Sequence, residues 1–214
     1  MPETRRRGGS RVIDEQGRRH LADIARLRDF VADFTRVIDR TNGDEGKVLR
    51  AGRRLVADLI RVDDWLPAMF AQPRRSRYQQ YLLHCDPLER FSVVSFVWDK
   101  GQSTPIHNHT VWGLIGMLRG AELSTRFKAA GKTLLEEGVA ERLEVGQVDA
   151  VSPTLGDIHR VSNALRNGTS ISIHVYGANI GGVRRAAFCA DGHARPFTSG
   201  YSNPLMRNLW DRSS

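Results

Sequence analysis

Ser170-Ile171-Ser172-Ile173-His174-Val175-Tyr176 is the stretch that decides the fold class of this chain. In an extended strand successive side chains point to opposite faces. Ile171, Ile173 and Val175 therefore share one face, and Ser172, His174 and Tyr176 share the other. A hydroxyl, an imidazole and a phenol opposite a purely apolar face are unusual for a solvated strand. Facing inward, each polar group needs a partner or costs about 1–3 kcal/mol. A relay from serine to histidine to tyrosine would supply the partners and hold the Tyr176 hydroxyl toward a pocket. The alternative is the outward polar face of a sandwich strand. A Ser–His nucleophile fits less well, because residues in line on a strand make no strained turn.

The same grammar extends outward from this strand. Segments rich in β-branched and aromatic residues at 78–84, 91–98, 110–118, 123–128, 148–152 and 159–162 read as further strands. Turn residues separate them: Asp99-Lys100-Gly101, Arg119-Gly120, Ala130-Gly131, Glu144-Val145-Gly146 and Arg166-Asn167-Gly168. Short, closely spaced strands predict a mainly β fold, a small antiparallel barrel or sandwich with a pocket at its mouth.

Before Ser76 the period is helical. Leu21, Ile24, Leu27, Val31, Phe34 and Ile38 recur at three- and four-residue steps over 16–40. A second helix follows Thr41-Asn42-Gly43-Asp44, with Val48, Leu55, Val56, Leu59 and Ile60 as its stripe. Trp65, Met69 and Phe70 belong to that helix or to a short one after it. The expected organisation is a disordered basic tail at 1–15 and a single domain over 16–214. Its N-terminal helical cap, about 16–72, packs on the barrel.

The chain has 214 residues, 40% apolar and 26% charged, as in an ordinary globular protein. It has no run of the roughly 18 apolar residues that a membrane helix needs. The start, MPETRRRGGSR, lacks the apolar core of a secretory signal. Cys85 and Cys189 can form neither a disulfide framework nor a cysteine zinc site. A soluble cytoplasmic protein with reduced thiols is the expectation. The charge of +8 is concentrated at the start, where Arg5, Arg6, Arg7, Arg11, Arg18 and Arg19 face three acids. No aromatic residues interleave with that run, as a platform for single-stranded nucleic acid would need. A solvated tail is expected, with a polyanion contact as the alternative and nucleic acid not counted among the partners.

Histidines carry the chemistry. His107 and His109 are two apart, so on an extended strand both imidazoles point to one side and can bind one metal. His159 adds a third. It lies in Pro153-Thr154-Leu155-Gly156-Asp157-Ile158-His159-Arg160-Val161-Ser162-Asn163, which resembles the second motif of the cupin superfamily. The stretch from Gly101 to Gly120 resembles the first motif. The Pro-to-Gly gap is one residue longer than usual, and the glutamate that often serves as a fourth ligand is replaced by Gly113. The resemblance implies a three-histidine site without a carboxylate. Such a site leaves a divalent ion its full charge and favours an anionic ligand such as a thiolate. Iron(II) suits it, and zinc and nickel are compatible with the same donors.

The run from His107-Asn108-His109-Thr110-Val111-Trp112-Gly113 to Gly120, taken with Ser172-x-His174-x-Tyr176, is similar to the cysteine dioxygenase family of thiol dioxygenases. The resemblance covers about 78–188. It implies a cupin barrel with one iron(II) per chain, held by His107, His109 and His159. Ser172, His174 and Tyr176 become an outer relay, and a thiol is oxidised to a sulfinic acid by both atoms of O2. Relatives of the mammalian type carry a cysteine, crosslinked to the tyrosine, where Gly113 stands here, so Tyr176 is expected to be unmodified. They also hold the substrate carboxylate with an arginine where this chain has Gln80. The bacterial 3-mercaptopropionate dioxygenase branch shares that glutamine and uses an arginine after the tyrosine, matched by Arg185, with Arg184 as rival. Asn108 stands where relatives commonly have aspartate.

The resulting expectation is oxidation of a small mercapto-carboxylate, 3-mercaptopropionate first and cysteine second, with Arg185 and Gln80 binding substrate. A zinc or nickel cupin enzyme and a non-enzymatic cupin binding module are the alternatives. The oligomeric state stays open. His20, His84 and His193 read as structural or solvated, and the two cysteines as inert.

Overall fold

The computed structural model describes the backbone of Arg11–Ile13 and Arg19–Leu21 and the whole of residues 24–131, 133–189 and 191–203. Most of the expected basic tail, 1–15, lies outside the described residues. Arg11–Ile13 (β1) and Arg19–Leu21 (β2) form a short antiparallel pair. The first helix, α1 (Ile24–Thr41), therefore starts later than its periodicity predicts. Its buried stripe is Leu27, Phe30, Phe34 and Ile38, and Ile24 is exposed. Without a packing partner at the first turn, apolar spacing alone does not extend the helix to residue 16.

Asn42 and Gly43, both at positive φ, turn the chain into α2 (Glu45–Ile60). The Asp44 side chain caps α2, accepting from the Lys47 N–H at 2.9 Å. A 3-10 turn at Ala68–Phe70 ends the helical region.

Eleven strands follow: β3 (Gln79–Cys85), β4 (Ser92–Trp98), β5 (Ile106–His107), β6 (Gly113–Arg119), β7 (Ala121–Ala130), β8 (Thr133–Glu144), β9 (Val148–Val151), β10 (His159–Asn163), β11 (Ser170–Tyr176), β12 (Arg185–Phe188) and β13 (Ala194–Phe197). They form two antiparallel sheets, ordered β3-β4-β11-β6-β9 and β13-β12-β5-β10-β7-β8. This is the cupin architecture, mainly β with N-terminal helices on one side. The seven expected strands are present with ends shifted by a few residues. β5, β8, β12 and β13 are additions.

The two faces of the five-stranded sheet have different tasks. On its outer face Ile171, Ile173 and Val175 join Leu114, Phe34, Val56 and Trp65 in one apolar cluster shared with the helices. Approach is close: a Cβ on Gly116 would lie 2.6 Å from Val56, and one on Gly52 2.8 Å from Leu114. The inner face looks across at the six-stranded sheet. The free edge of β3 is covered by residues 202–203, whose backbone and side chains bond to Gln80 and Leu82.

Candidate metal centre and adjoining pocket

His107 ends β5, His159 begins β10, and the two are direct cross-strand partners. His109 reaches them from the loop after β5, not from the strand as the two-residue spacing predicts. The Asp157 carboxylate bends that loop by accepting from the backbone N–H groups of His109 at 2.9 Å and Thr110 at 2.8 Å. Thr110 takes a positive φ as a result of the turn. The donor atoms of the three histidines lie within 4.8 Å of one another, and all three side chains are buried.

Each imidazole is oriented from behind through Nδ1. His107 Nδ1 donates to the Pro105 carbonyl at 3.1 Å, His109 Nδ1 to Asp157 at 3.0 Å, and His159 Nδ1 lies 3.2 Å from the Ser124 hydroxyl. A carbonyl or ionised carboxylate can only accept, so His107 and His109 carry their proton on Nδ1 and turn Nε2 inward. Burial, with His109 alongside, pulls the His107 pKa down to about 3. Burial likewise lowers His109, against the pull of Asp157, and sets His159 well below its usual value. Burial alone would raise Asp157, but the bonds from His109 and Thr110 outweigh it and hold the carboxyl ionised. Three neutral imidazoles backed by outer acceptors are chemically suited to a divalent transition metal.

A cavity of about 120 Å³ opens onto this cluster. The inner face of β11 supplies one wall. Ser172 Oγ lies 2.8 Å from His174 Nε2, and His174 Nδ1 lies 2.8 Å from the Tyr176 hydroxyl. Ser172, His174 and Tyr176 thus point inward and bond to one another. The Tyr176 ring stacks on His109 with centroids 5.4 Å apart, so the relay ends beside the imidazoles. Burial raises the Tyr176 pKa well above its usual value and lowers that of His174. Both groups are neutral at pH 7.

Gly113 explains how Tyr176 fits. A Cβ there would stand 2.8 Å from Tyr176 Cε1 and 3.1 Å from Val151. The position expected to carry a crosslinking cysteine in some relatives has room only for hydrogen.

The opposite wall is cationic. Arg185, in β12, is 5% exposed and lines the cavity, whereas Arg184 is exposed. The Arg185 guanidinium stacks over the Phe197 ring at 4.8 Å and donates from Nη2 to Ser199 Oγ at 2.6 Å. Among the described residues its Nε has no hydrogen-bond partner. Asn108 fixes the strand: its side-chain oxygen accepts from Ala186 N at 2.8 Å, and its N–H donates to the Ala186 carbonyl. Gln80 also lines the cavity, but its Nε2 is committed to Ser199 Oγ at 2.9 Å and Gly200 O at 3.0 Å.

Sequence reading missed Asp157, Ser124, Ser199 and the stacking Phe197. Asp157 had a signal, two residues before His159 on the same loop. Ser199 had none, because only tertiary folding brings it to Gln80 and Arg185.

Two sheets closing around inward-facing imidazoles define a cupin. Residues 52–186, more than half of the chain, match the family of cysteine dioxygenase type I, and the chain belongs to that family. Membership indicates a thiol dioxygenase acting on a thiol and O2. Among solved structures, the chain is similar to a conserved protein with a double-stranded β-helix domain from Klebsiella pneumoniae. That match has 13% identity and TM-score 0.42, over 60% of this chain and 91% of that one. A cupin superfamily protein from Desulfitobacterium hafniense gives 15% identity and TM-score 0.41, over 55% and 93%. No helix among the described residues is long and apolar enough to cross a membrane.

Proposed function

We propose that this protein is an iron(II)-dependent thiol dioxygenase that converts a small mercapto-carboxylate and O2 into the sulfinic acid, with 3-mercaptopropionate preferred over cysteine. The observation that carries this reading is one small cavity with three inward Nε2 atoms on one wall and a buried, partly unpaired guanidinium on another. In this assignment His107, His109 and His159 hold one iron per chain. Iron held there would supply the redox chemistry that joins a thiolate and O2.

The residues do the rest. Arg185 takes the carboxylate, because its planar fork pairs two oxygens and fixes direction as well as charge. Ser199 Oγ already accepts from both Arg185 and Gln80, so its own hydrogen is left to donate. Gln80 therefore positions the anchor instead of gripping substrate directly, and Tyr176 presents its hydroxyl from the imidazole side. Among the described residues no Asp or Glu lines this cavity, so nothing there rewards the ammonium group of cysteine. Phe96, Trp98 and Val161 make part of the remaining wall apolar.

Oxygen uptake by the iron-loaded protein with 3-mercaptopropionate, cysteine and an uncharged thiol of similar length tests the proposal. The highest kcat/KM should belong to 3-mercaptopropionate. No uptake with any of them would overturn it.

A further inference from the structure

A second and larger cavity, about 610 Å³, is lined by His159 and reaches His174. Glu122, from β7 in the six-stranded sheet, lines it and is 2% exposed. This carboxyl reaches across the interior to the Ser172 hydroxyl and the Trp98 indole N–H, and both interactions favour its ionised form. The contacts are loose: among the described residues neither Glu122 Oε1 nor Trp98 Nε1 makes a hydrogen bond of good geometry. Trp98 can only donate, whereas Ser172 can donate or accept.

We propose that Glu122 is a positioning residue that sets the direction of the Ser172–His174–Tyr176 relay, and with it whether Tyr176 can donate a hydrogen bond into the substrate cavity. This rests on the dioxygenase reading only for the use made of Tyr176. His174 is neutral, so it carries one ring proton. With Glu122 ionised, Ser172 O–H points at the carboxylate, His174 donates from Nε2 to Ser172, and its bare Nδ1 accepts from Tyr176. The phenol hydrogen is then spent. With Glu122 protonated, its O–H points at Ser172, Ser172 donates to Nε2, and the proton of His174 sits on Nδ1, facing the Tyr176 oxygen. The phenol hydrogen is then free to enter the cavity. In both arrangements each contact between Glu122, Ser172, His174 and Tyr176 joins one donor to one acceptor, and Glu122, which lines the second cavity, is the group that exchanges a proton.

Burial raises the Glu122 pKa to about 7, with Ser172 and Trp98 opposing the rise. The switch therefore operates near neutrality. The charged groups that share the cavity are Arg53, Glu141, Arg142 and Asp149, with neutral His159 and His174 on its inner side.

The test is the tautomer of His174, read from ring nitrogen shifts in the zinc-loaded full chain, which avoids paramagnetic iron. Between pH 5.5 and 8.5 the proton should move from Nδ1 to Nε2, the ratio changing about tenfold per pH unit away from the midpoint. In Glu122→Gln the amide donates to Ser172 at every pH, so the Nδ1–H form should persist throughout. Ser172→Ala should cut the link and leave the tautomer insensitive to Glu122. A wild-type tautomer that does not change with pH, or a Glu122→Gln protein that still switches, would overturn the assignment. Oxygen uptake by the iron form is a separate readout: its decline above pH 7 should vanish in Glu122→Gln. If uptake is absent but the tautomer switches, the dioxygenase reading fails and the relay assignment stands.

Discussion

Replacing Arg185 by glutamine should separate the two effects assigned to it, the proposed binding of a carboxylate and the cost of a buried cation in the empty protein. Truncating one partner of a buried, hydrogen-bonded ion pair costs about 2–5 kcal/mol. At about 1.4 kcal/mol per factor of ten, kcat/KM for 3-mercaptopropionate should fall roughly 30-fold or more, mainly through KM. An uncharged thiol could lose only a neutral hydrogen bond, so its kcat/KM should change by no more than about tenfold. Arg184→Gln, at an exposed position, should leave both substrates unaffected. The free protein should respond in the opposite sense. Arg185 is a buried cation whose pKa is lowered by burial and whose Nε is unpaired. The Phe197 face and the Ser199 hydroxyl return part of the desolvation cost. The remainder, about 1 kcal/mol, should appear as a melting temperature about 2–4 °C higher in Arg185→Gln. Steady-state oxygen uptake with the two thiols and calorimetry without substrate make the comparison. Equal losses for charged and uncharged thiols would refute the carboxylate assignment.

Asp157→Asn should weaken metal binding about 10- to 100-fold by loosening His109, measured by competition with a chromogenic chelator. Gly113→Ala forces a methyl group against the Tyr176 ring and should cost about 1–3 kcal/mol, seen in denaturant unfolding together with reduced oxygen uptake. Asp86 accepts from Leu88 N at 2.9 Å and from Arg90 Nε and Nη2 at 2.9 and 2.7 Å, and these bonds, led by those from the Arg90 side chain, lower its pKa. Its contribution is therefore complete above the unfolded value near 3.8 and lost as pH falls through the lower folded value. Asp86→Asn should destabilise the protein by about 2 kcal/mol at pH 7, and urea midpoints of the two proteins should converge in acid.

The parts of the fold legible in the sequence are those where burial imposes a period. β11 falls on the stretch read from alternation because one face meets the helices and the other meets the cavity. β8 escaped for the opposite reason. Thr133–Glu144 pairs only with β7, at the edge of its sheet, and is mostly exposed, so neither face needs a pattern. β12 and β13 are four residues each, and β5 is two, too short for a period to register. The three histidines were legible as a set, but His109 gets its place from Asp157, forty-eight residues away. Neighbouring residues on a strand face opposite ways, so Arg184 and Arg185 were equivalent until register chose between them. The pairing of Arg185 with Phe197 and of Ala187 with His107 turns Arg185 inward.

The same register exposes a division of labour between the sheets. The six-stranded sheet and the loop after β5 contribute the imidazoles, the Arg185 guanidinium and the Glu122 carboxyl, all buried, with Arg185 and Glu122 each leaving a polar atom unpartnered among the described residues. Each such group costs folding energy in the empty protein. The five-stranded sheet contributes a relay that is closed upon itself at 2.8 Å, and its other face carries the main apolar cluster. Stability is thus concentrated on the helix side of β11, and unsatisfied polarity on the cavity side. A ligand that brings one carboxylate and one thiolate would relieve the strain where it lies, pairing with Arg185 at one end and with a cation among the imidazoles at the other. That complementarity, more than the presence of any single histidine, is the physical reason to expect a small dianionic thiol in this cavity.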